Sequence, residues 1–244
     1  MAWLTVLGIP AAVYVVCVAA LMRFVNENSQ DAFLLVGTGL LTMGIYVFHR
    51  TTVISVEPMQ KRHQLSFRHR RVLLLFSFAL LLFALIVFAL HNPLAMFLVV
   101  GALLGVTVYG RKCISLPLRN VTYLKPFAVG ISIALLAWSL NGFHNSTLTT
   151  SAFVLICSAD ALICDLVDRD YDKTSGCITL AQKLGSVKTW GVSLFLYVIS
   201  VVILNAPVGW IFLALFPIPI FAKPVLRTAV DLRPLLVLLI AWSL

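Results

Sequence analysis

Long hydrophobic stretches alternate with short polar linkers along the whole chain. A helix that crosses the hydrocarbon core of a bilayer needs about 20 mostly apolar residues, and most of the stretches approach that length. The last one has only 12 residues, so it must tilt, begin earlier near Val225, or continue beyond the given sequence. The nine predicted transmembrane segments are 3–22, 31–49, 72–90, 93–110, 126–143, 148–165, 189–206, 208–222 and 233–244.

The composition agrees with a chain that lies mainly in lipid. Of the 244 residues, 61% are hydrophobic and 11% are charged, whereas soluble domains carry about 25% charged residues. Only helices and closed barrels satisfy the backbone polar groups in lipid, and segments this long and apolar are not barrel strands. We therefore predict an all-α, multi-pass membrane protein with about nine transmembrane helices, forming one domain over residues 1–244.

The basic residues occur in every second linker, which predicts the orientation of the chain. Cytoplasmic linkers of membrane proteins are enriched in Lys and Arg. The N-terminus and these linkers are thus predicted to be cytoplasmic, and attraction to anionic lipid headgroups explains the net charge of +9 without a nucleic-acid partner. Apart from Arg23, the Lys and Arg residues fall in the linkers 50–71, 111–125, 166–188 and 223–233.

Five of the nine acidic residues are concentrated between positions 160 and 172. Asp165, Asp168 and Asp172 have the spacing i, i+3, i+7, which puts them within about 60° of one another on a regular helix. Carboxylates on one face repel each other, and a divalent cation such as Mg²⁺, which prefers oxygen ligands, removes that repulsion. Asp170 points to another face of such a helix. Asp160 lies deeper in apolar sequence, where an acid is by default a candidate for a functional site. Its phase on a regular helix is opposite to that of the other three acids, so the alternative is that it caps or pairs with a neighbouring helix.

The stretch from Cys164 to Gly185 resembles the second aspartate-rich motif of the UbiA superfamily of membrane prenyltransferases. Asp165, Asp168 and Asp172 match the acids of that motif. The residues that match its tail are Gly176, Thr179, Leu180, Leu184 and Gly185. The position of the motif at the end of the sixth of nine segments also fits this family.

This resemblance implies an intramembrane enzyme that transfers a prenyl group from a polyprenyl diphosphate to a lipophilic, often aromatic, acceptor. It implies helices around a cavity that opens to the cytoplasm, with Mg²⁺ as the cofactor. By this resemblance Asp165, Asp168 and Asp172 are the catalytic and metal-binding residues. The candidate diphosphate-binding residues are Arg50, Arg111, Lys112 and Lys125. Arg50 and Lys125 can equally be membrane-interface anchors.

The first aspartate-rich motif of the family, expected after the second segment, is altered. Tyr46 and Arg50 fit a Tyr-x-x-Asp-Arg variant of that motif, but His49 and Val53 stand where acids are expected. Histidine is a poor ligand for Mg²⁺. A non-catalytic UbiA-like scaffold, or a lipid- or pigment-binding subunit with partner subunits, is therefore the alternative function. An ion-coupled transporter is a weaker one, because its acids are expected near the bilayer midplane.

Overall fold

The computed structural model describes residues 2–27, 31–52, 61–110, 122–140, 146–174, 178–221 and 226–243, and within these ranges all regular structure is helical. The α-helices, in chain order, are α1 Ala2–Val6, α2 Ile9–Val25, α3 Ala32–Thr52, α4 Lys61–Arg68, α5 Arg70–His91, α6 Met96–Gly110, α7 Leu124–Leu140, α8 Thr147–Val167, α9 Arg169–Thr174, α10 Leu180–Leu204, α11 Pro207–Ala214, α12 Ile218–Phe221 and α13 Leu226–Ser243. A 3-10 turn, Pro93–Ala95, precedes α6.

The predicted all-α membrane architecture is confirmed, whereas the number of nine spans stays a prediction. Among the described residues, four helices are long and apolar enough to cross a membrane: Ala32–Thr51, Arg70–His91, Thr147–Val167 and Leu180–Leu204. Shorter apolar helices occupy Ile9–Val25, Pro93–Gly105, Leu124–Leu140 and Pro207–Ile220. The last predicted segment begins earlier than its apolar run, since α13 starts at Leu226.

Two compact units make up the chain, and the predicted single domain stays a prediction. The N-terminal unit comprises Met1–Val16 and Asp31–Arg119, and the C-terminal unit comprises Cys17–Gln30 and Asn120–Leu244. Each unit exposes large apolar side chains, such as Leu75 at 72% in the first and Val202 at 72% in the second. Such exposure suits a surface that faces lipid rather than water.

Close packing of α3 against α5 organises the N-terminal unit. Glycine makes the approach of the two helices possible, because a Cβ on Gly44 would lie 2.9 Å from the Leu81 side chain. The hydroxyl of Ser77 on α5 donates a hydrogen bond to the carbonyl of Gly44 at 2.8 Å. A small cluster of Val6, Val47 and Leu73 joins α1, α3 and α5.

The C-terminal unit is built around α8, which packs against α7, α10 and α13. Ser146 begins α8 as its N-cap, and its hydroxyl oxygen accepts a hydrogen bond from the Thr149 backbone N–H at 3.0 Å. Gly130 on α7 allows a close crossing, because a Cβ there would lie only 2.7 Å from the Val154 carbonyl oxygen. This packing fixes the start of α7 beside the acidic end of α8.

Candidate functional site

A helix break at Asp168 shapes the acidic motif. α8 ends at Val167, Asp168 is its C-cap with φ −88° and ψ 3°, and α9 begins at Arg169. The backbone is therefore not regularly helical at Asp168, although its N–H still bonds to the Cys164 carbonyl and its own carbonyl accepts from the Asp172 N–H. Ion pairs are seen at all three acids: Asp165 and Asp172 share one cation, and Asp168 pairs with another.

Asp165 and Asp172 converge on one lysine. Nζ of Lys125, at the start of α7, lies 2.6 Å from Asp165 Oδ1 and 3.0 Å from Asp172 Oδ2. All three side chains are at least largely buried, with exposed fractions of 13% for Lys125, 9% for Asp165 and 3% for Asp172. The ammonium group of Lys125 thus bridges the two carboxylates.

Asp168 pairs with a residue that the sequence pattern places in a basic linker. Nη1 of Arg227, in the first turn of α13, donates a hydrogen bond to Asp168 Oδ2 at 2.5 Å. The exposed fractions are 24% for the arginine side chain and 19% for the aspartate. The sequence does not reveal this contact, because a charge at the start of a helix gives the same pattern whether it faces solvent or another helix.

Asp170 lies apart from the other acids of the motif, as the spacing of the acids along a helix predicts. Its side chain is 94% exposed, and its carboxylate lies 3.6 Å from the Arg169 guanidinium, which is itself 48% exposed. Screening by water makes such a pair weak. Asp170 therefore differs in environment from its neighbours Asp168 and Asp172, although it carries the same charge.

The tail of the motif has a structural role that the local geometry explains. Thr179 is the N-cap of α10, with its hydroxyl accepting from the Gln182 backbone N–H at 3.3 Å. The Gln182 side chain donates a hydrogen bond to the Arg169 carbonyl at 3.1 Å and so ties α10 to α9. Gly185 interrupts α10 at φ 75° and ψ 172°, a conformation that is essentially restricted to glycine. These residues hold the acidic segment in place.

The residues of the altered first motif lie in the N-terminal unit. Arg50 donates from Nη1 to the Thr5 carbonyl, and its guanidinium lies 4.8 Å from the centre of the Tyr46 ring. His49 is half-buried near the end of α3. The Arg50 side chain thus connects the end of α3 to α1. Val53 of this motif lies outside the described residues, as do the candidate diphosphate contacts Arg111 and Lys112.

Oxygen ligands suited to Mg²⁺ are present, although only two of them converge. Within the described part of the chain, no group of three or more His, Cys, Asp or Glu side chains is arranged to hold a metal ion. Asp165 and Asp172 meet around one cation, and Asp165 Oδ2 is buried without a hydrogen-bond partner. Since Mg²⁺ typically takes one or two carboxylates plus substrate phosphates, this pair fits such an ion in its donor chemistry.

The fold and this site define an all-helical membrane protein with a buried, cation-bridged aspartate motif. The sequence profile of the UbiA prenyltransferase family matches residues 57–234, which is most of the chain. The protein belongs to this family, and the resemblance noted in its sequence is confirmed. The matched residues include the second aspartate motif and begin after Tyr46 and Arg50 of the altered first motif.

Solved structures agree with the family assignment at the level of the fold. A UbiA homolog from Archaeoglobus fulgidus, bound to GPP and Mg²⁺, has a TM-score of 0.68 and 13% sequence identity, with 100% of this chain and 99% of that chain covered. The same homolog bound to DMAPP and Mg²⁺ has a TM-score of 0.69 and 14% identity, with coverage of 100% and 98%. Comparison with curated proteins gives no match.

Proposed function

We propose that this protein is an intramembrane prenyltransferase that transfers a prenyl group from a polyprenyl diphosphate to a lipophilic or aromatic acceptor. The observation that carries the proposal is the convergence of Asp165 and Asp172 on Lys125 in a member of the UbiA prenyltransferase family. Two buried carboxylates and one ammonium group in contact are the parts that a metal–diphosphate site needs. The prenyl diphosphates and Mg²⁺ of the archaeal homolog support the same assignment.

Asp165, Asp168 and Asp172 are the proposed catalytic and metal-binding residues. Asp165 and Asp172 supply oxygen donors at the centre of the site, and Asp168 contributes a third carboxylate held by Arg227. Bound Mg²⁺ would neutralise negative charge that develops on the diphosphate leaving group. Asp172 lies beyond the break at Asp168 and still reaches Lys125, so the site depends on the geometry at Asp168.

Lys125 is the proposed diphosphate contact with the best structural support. Its ammonium group already lies between two carboxylates, and a diphosphate oxygen that approaches there meets a cation in a largely buried setting. Such a fixed charge stabilises a leaving oxygen more effectively than a solvated one does. Arg50, Arg111 and Lys112 remain proposed contacts on the strength of the family resemblance.

The apolar helices have a chemical role in this proposal. Breaking the bond between the allylic carbon and the diphosphate oxygen leaves an electron-poor prenyl carbon, which water would capture. Burial of the motif among membrane helices excludes water and favours a bond to the acceptor instead. We also propose, from the distribution of Lys and Arg, that the acidic motif and the N-terminus face the cytoplasm, with membrane lipid around the helices.

A second candidate function is a non-catalytic UbiA-like subunit that binds a lipid or a pigment. His49 and Val53, at positions where the first motif has acids, favour it. Both candidates share the same fold. They differ in whether a prenyl diphosphate is cleaved and its inorganic diphosphate released.

The test is release of inorganic diphosphate from geranyl diphosphate by the protein in lipid nanodiscs with Mg²⁺ and a panel of aromatic acceptors. The enzyme proposal predicts release that Mg²⁺ chelation abolishes and that Asp172→Asn reduces by at least about tenfold. Binding without release, followed by turnover only in His49→Asp/Val53→Asp, would instead support the non-catalytic candidate. No binding and no release would contradict the enzyme proposal.

A further inference from the structure

A fully buried ion pair connects α8 to α13 below the acidic motif. Nη2 of Arg233 forms an ion pair with Asp160 Oδ1, and the two residues are only 1% and 2% exposed. The Tyr197 hydroxyl on α10 donates to the same carboxylate oxygen at 2.5 Å. The Arg233 guanidinium also lies 4.9 Å from the centre of the Tyr197 ring and 6.0 Å from that of Phe216.

The position of Arg233 on its helix is that of a core residue. One face of α13 is buried at spacings of three and four residues, as expected for a helix that packs on a neighbour. Arg233 is the charged member of this buried face, so its burial follows from the packing of the whole helix. The buried residues are Val230, Arg233, Pro234, Val237, Leu238 and Ala241.

Net stability does not explain why such a pair is present. A buried ion pair is often no more stable than apolar side chains of similar volume, because removing two charges from water is costly. Ionisable residues within membrane helices usually have a functional role. A charge pair does, however, fix the alignment of α13 along α8. Any shift of one helix along the other would separate Arg233 from Asp160 and leave both charges buried.

A second pair between the same helices shows what this alignment determines. Asp160 pairs with Arg233, and Asp168 pairs with Arg227. Asp168 comes eight residues after Asp160, whereas Arg227 comes six residues before Arg233. These separations correspond to about 12 Å and about 9 Å along the two helix axes. The helices are therefore antiparallel, and the buried pair sets the register at which Arg227 reaches the acidic motif.

We propose that Arg227 is a further diphosphate-binding residue and that Asp160 and Arg233 are positioning residues that hold it at Asp168. The inference rests on the proposed function. The Arg227 side chain is 24% exposed, and the planar donors of a guanidinium can bind phosphate oxygens in a bidentate manner, which an ammonium group cannot. With acids missing from the first motif, α13 supplies the site with a cation that the sequence pattern assigns to a linker.

The register can be measured without any ligand. Native Cys164 lies midway between Asp160 and Asp168, and Asp231 lies between Arg227 and Arg233 on the facing helix. We would introduce Asp231→Cys in full-length protein whose other cysteines are changed to Ser: Cys17, Cys113, Cys157 and Cys177. Oxidation in nanodiscs should crosslink Cys164 to the introduced cysteine in this parent and equally in its Arg227→Gln variant.

The decisive variant is Asp160→Leu/Arg233→Met, which removes the charges but keeps apolar volume so that the helices still pack. We expect loss of the crosslink in this variant, together with weaker Mg²⁺-dependent binding of geranyl diphosphate. Arg227→Gln should weaken that binding by about tenfold while keeping the crosslink. Arg169→Gln is the matched control, because it removes a neighbouring exposed charge, and it should change the affinity less than about twofold.

Several results would overturn the inference. If Asp160→Leu/Arg233→Met keeps both the crosslink and the affinity, the pair positions nothing, and equal effects of Arg227→Gln and Arg169→Gln would exclude a specific role for Arg227. Should the double variant fail to fold, Tyr197→Phe removes only the hydrogen bond to Asp160, and an unchanged affinity would count against the inference. If the protein with its native Asp231 binds no geranyl diphosphate while the parent still crosslinks, the proposed function is refuted and the register assignment stands.

Discussion

Lys125 on α7 and Asp165 on α8 form a short, largely buried ion pair, with 2.6 Å between Nζ and Oδ1. The same ammonium group also contacts Asp172 beyond the end of α8. One lysine therefore holds together two carboxylates that would repel each other, in the place where a metal ion with its diphosphate is proposed to bind. This makes Lys125 both a structural counter-ion and a proposed ligand contact.

Replacing Lys125 separates these two roles. Lys125→Met leaves Asp165 and Asp172 buried without their counter-ion, and breaking a buried pair in this way typically costs about 3–5 kcal/mol. We expect a lower melting temperature in detergent that millimolar Mg²⁺ raises more in the variant than in the wild type, because the ion takes over the neutralisation. Lys183→Met, at an exposed lysine on the Tyr123 ring, is the control and should melt like the wild type. A variant that Mg²⁺ does not stabilise would argue against a metal site at this pair.

Gly185 is expected to be sensitive to any side chain. Its φ of 75° and ψ of 172° lie in a region that other residues avoid, so Gly185→Ala should lower the free energy of unfolding by about 1–3 kcal/mol. Gly191→Ala, in the regular part of the same helix and with open space around its Cβ, should be neutral or slightly stabilising. Thermal unfolding of both variants gives the comparison, and equal melting temperatures would contradict the role assigned to Gly185.

Gly130 tests whether the approach of α7 to α8 matters for the site. A Cβ at this position would lie 2.7 Å from the Val154 carbonyl oxygen and 2.8 Å from the Ser158 backbone nitrogen. These backbone atoms cannot rotate away as a flexible side chain could, so Gly130→Ala should push α7 and α8 apart. We expect this change to destabilise the protein by about 1–3 kcal/mol and to weaken geranyl diphosphate binding. Gly101→Ala, where a Cβ meets open space, is the control. Normal binding by Gly130→Ala would show that the site tolerates this displacement.

The proposed orientation can be tested by cysteine labelling in intact cells. With the native cysteines replaced, a cysteine at Asn92 should react with a membrane-impermeant reagent from the non-cytoplasmic side. A cysteine at Phe67, in the basic linker region and 60% exposed, should react only after the membrane is opened. Phe67 is preferable to its neighbour Ser66, which is 1% exposed. The reverse pattern of labelling would invert the topology.

Much of the fold could be predicted from the sequence because hydrophobic length alone indicates membrane helices. The positions at which helices break or begin were harder to predict from the sequence. The segment predicted at 208–222 is divided into α11 and α12, and α10 begins at Leu180, before its most apolar part. Local backbone conformation decides such positions, and it depends on single residues such as Gly185 rather than on average hydropathy.

For the site, the sequence identified the charged residues more readily than their partners. The alternative that Asp160 caps or pairs with a neighbouring helix agrees with its ion pair to Arg233. The sequence pattern groups Arg233 itself with a basic linker, although the apolar spacing of Val230 and Val237 around it indicates a buried helix face. The contacts of Asp168 and Lys125 depend on where α8 ends, and the spacing of acids cannot reveal that.

The most direct test of the central claim is the affinity for geranyl diphosphate of three single variants in Mg²⁺, measured on the purified protein. Asp165→Asn and Asp172→Asn each remove a carboxylate that contacts Lys125, and Asp170→Asn removes the same charge from an exposed position nearby. We predict that the first two weaken binding by at least about tenfold and remove its dependence on Mg²⁺, while Asp170→Asn changes it by less than about twofold. Equal effects of all three variants would show a general influence of charge and would contradict a metal–diphosphate site at Asp165 and Asp172.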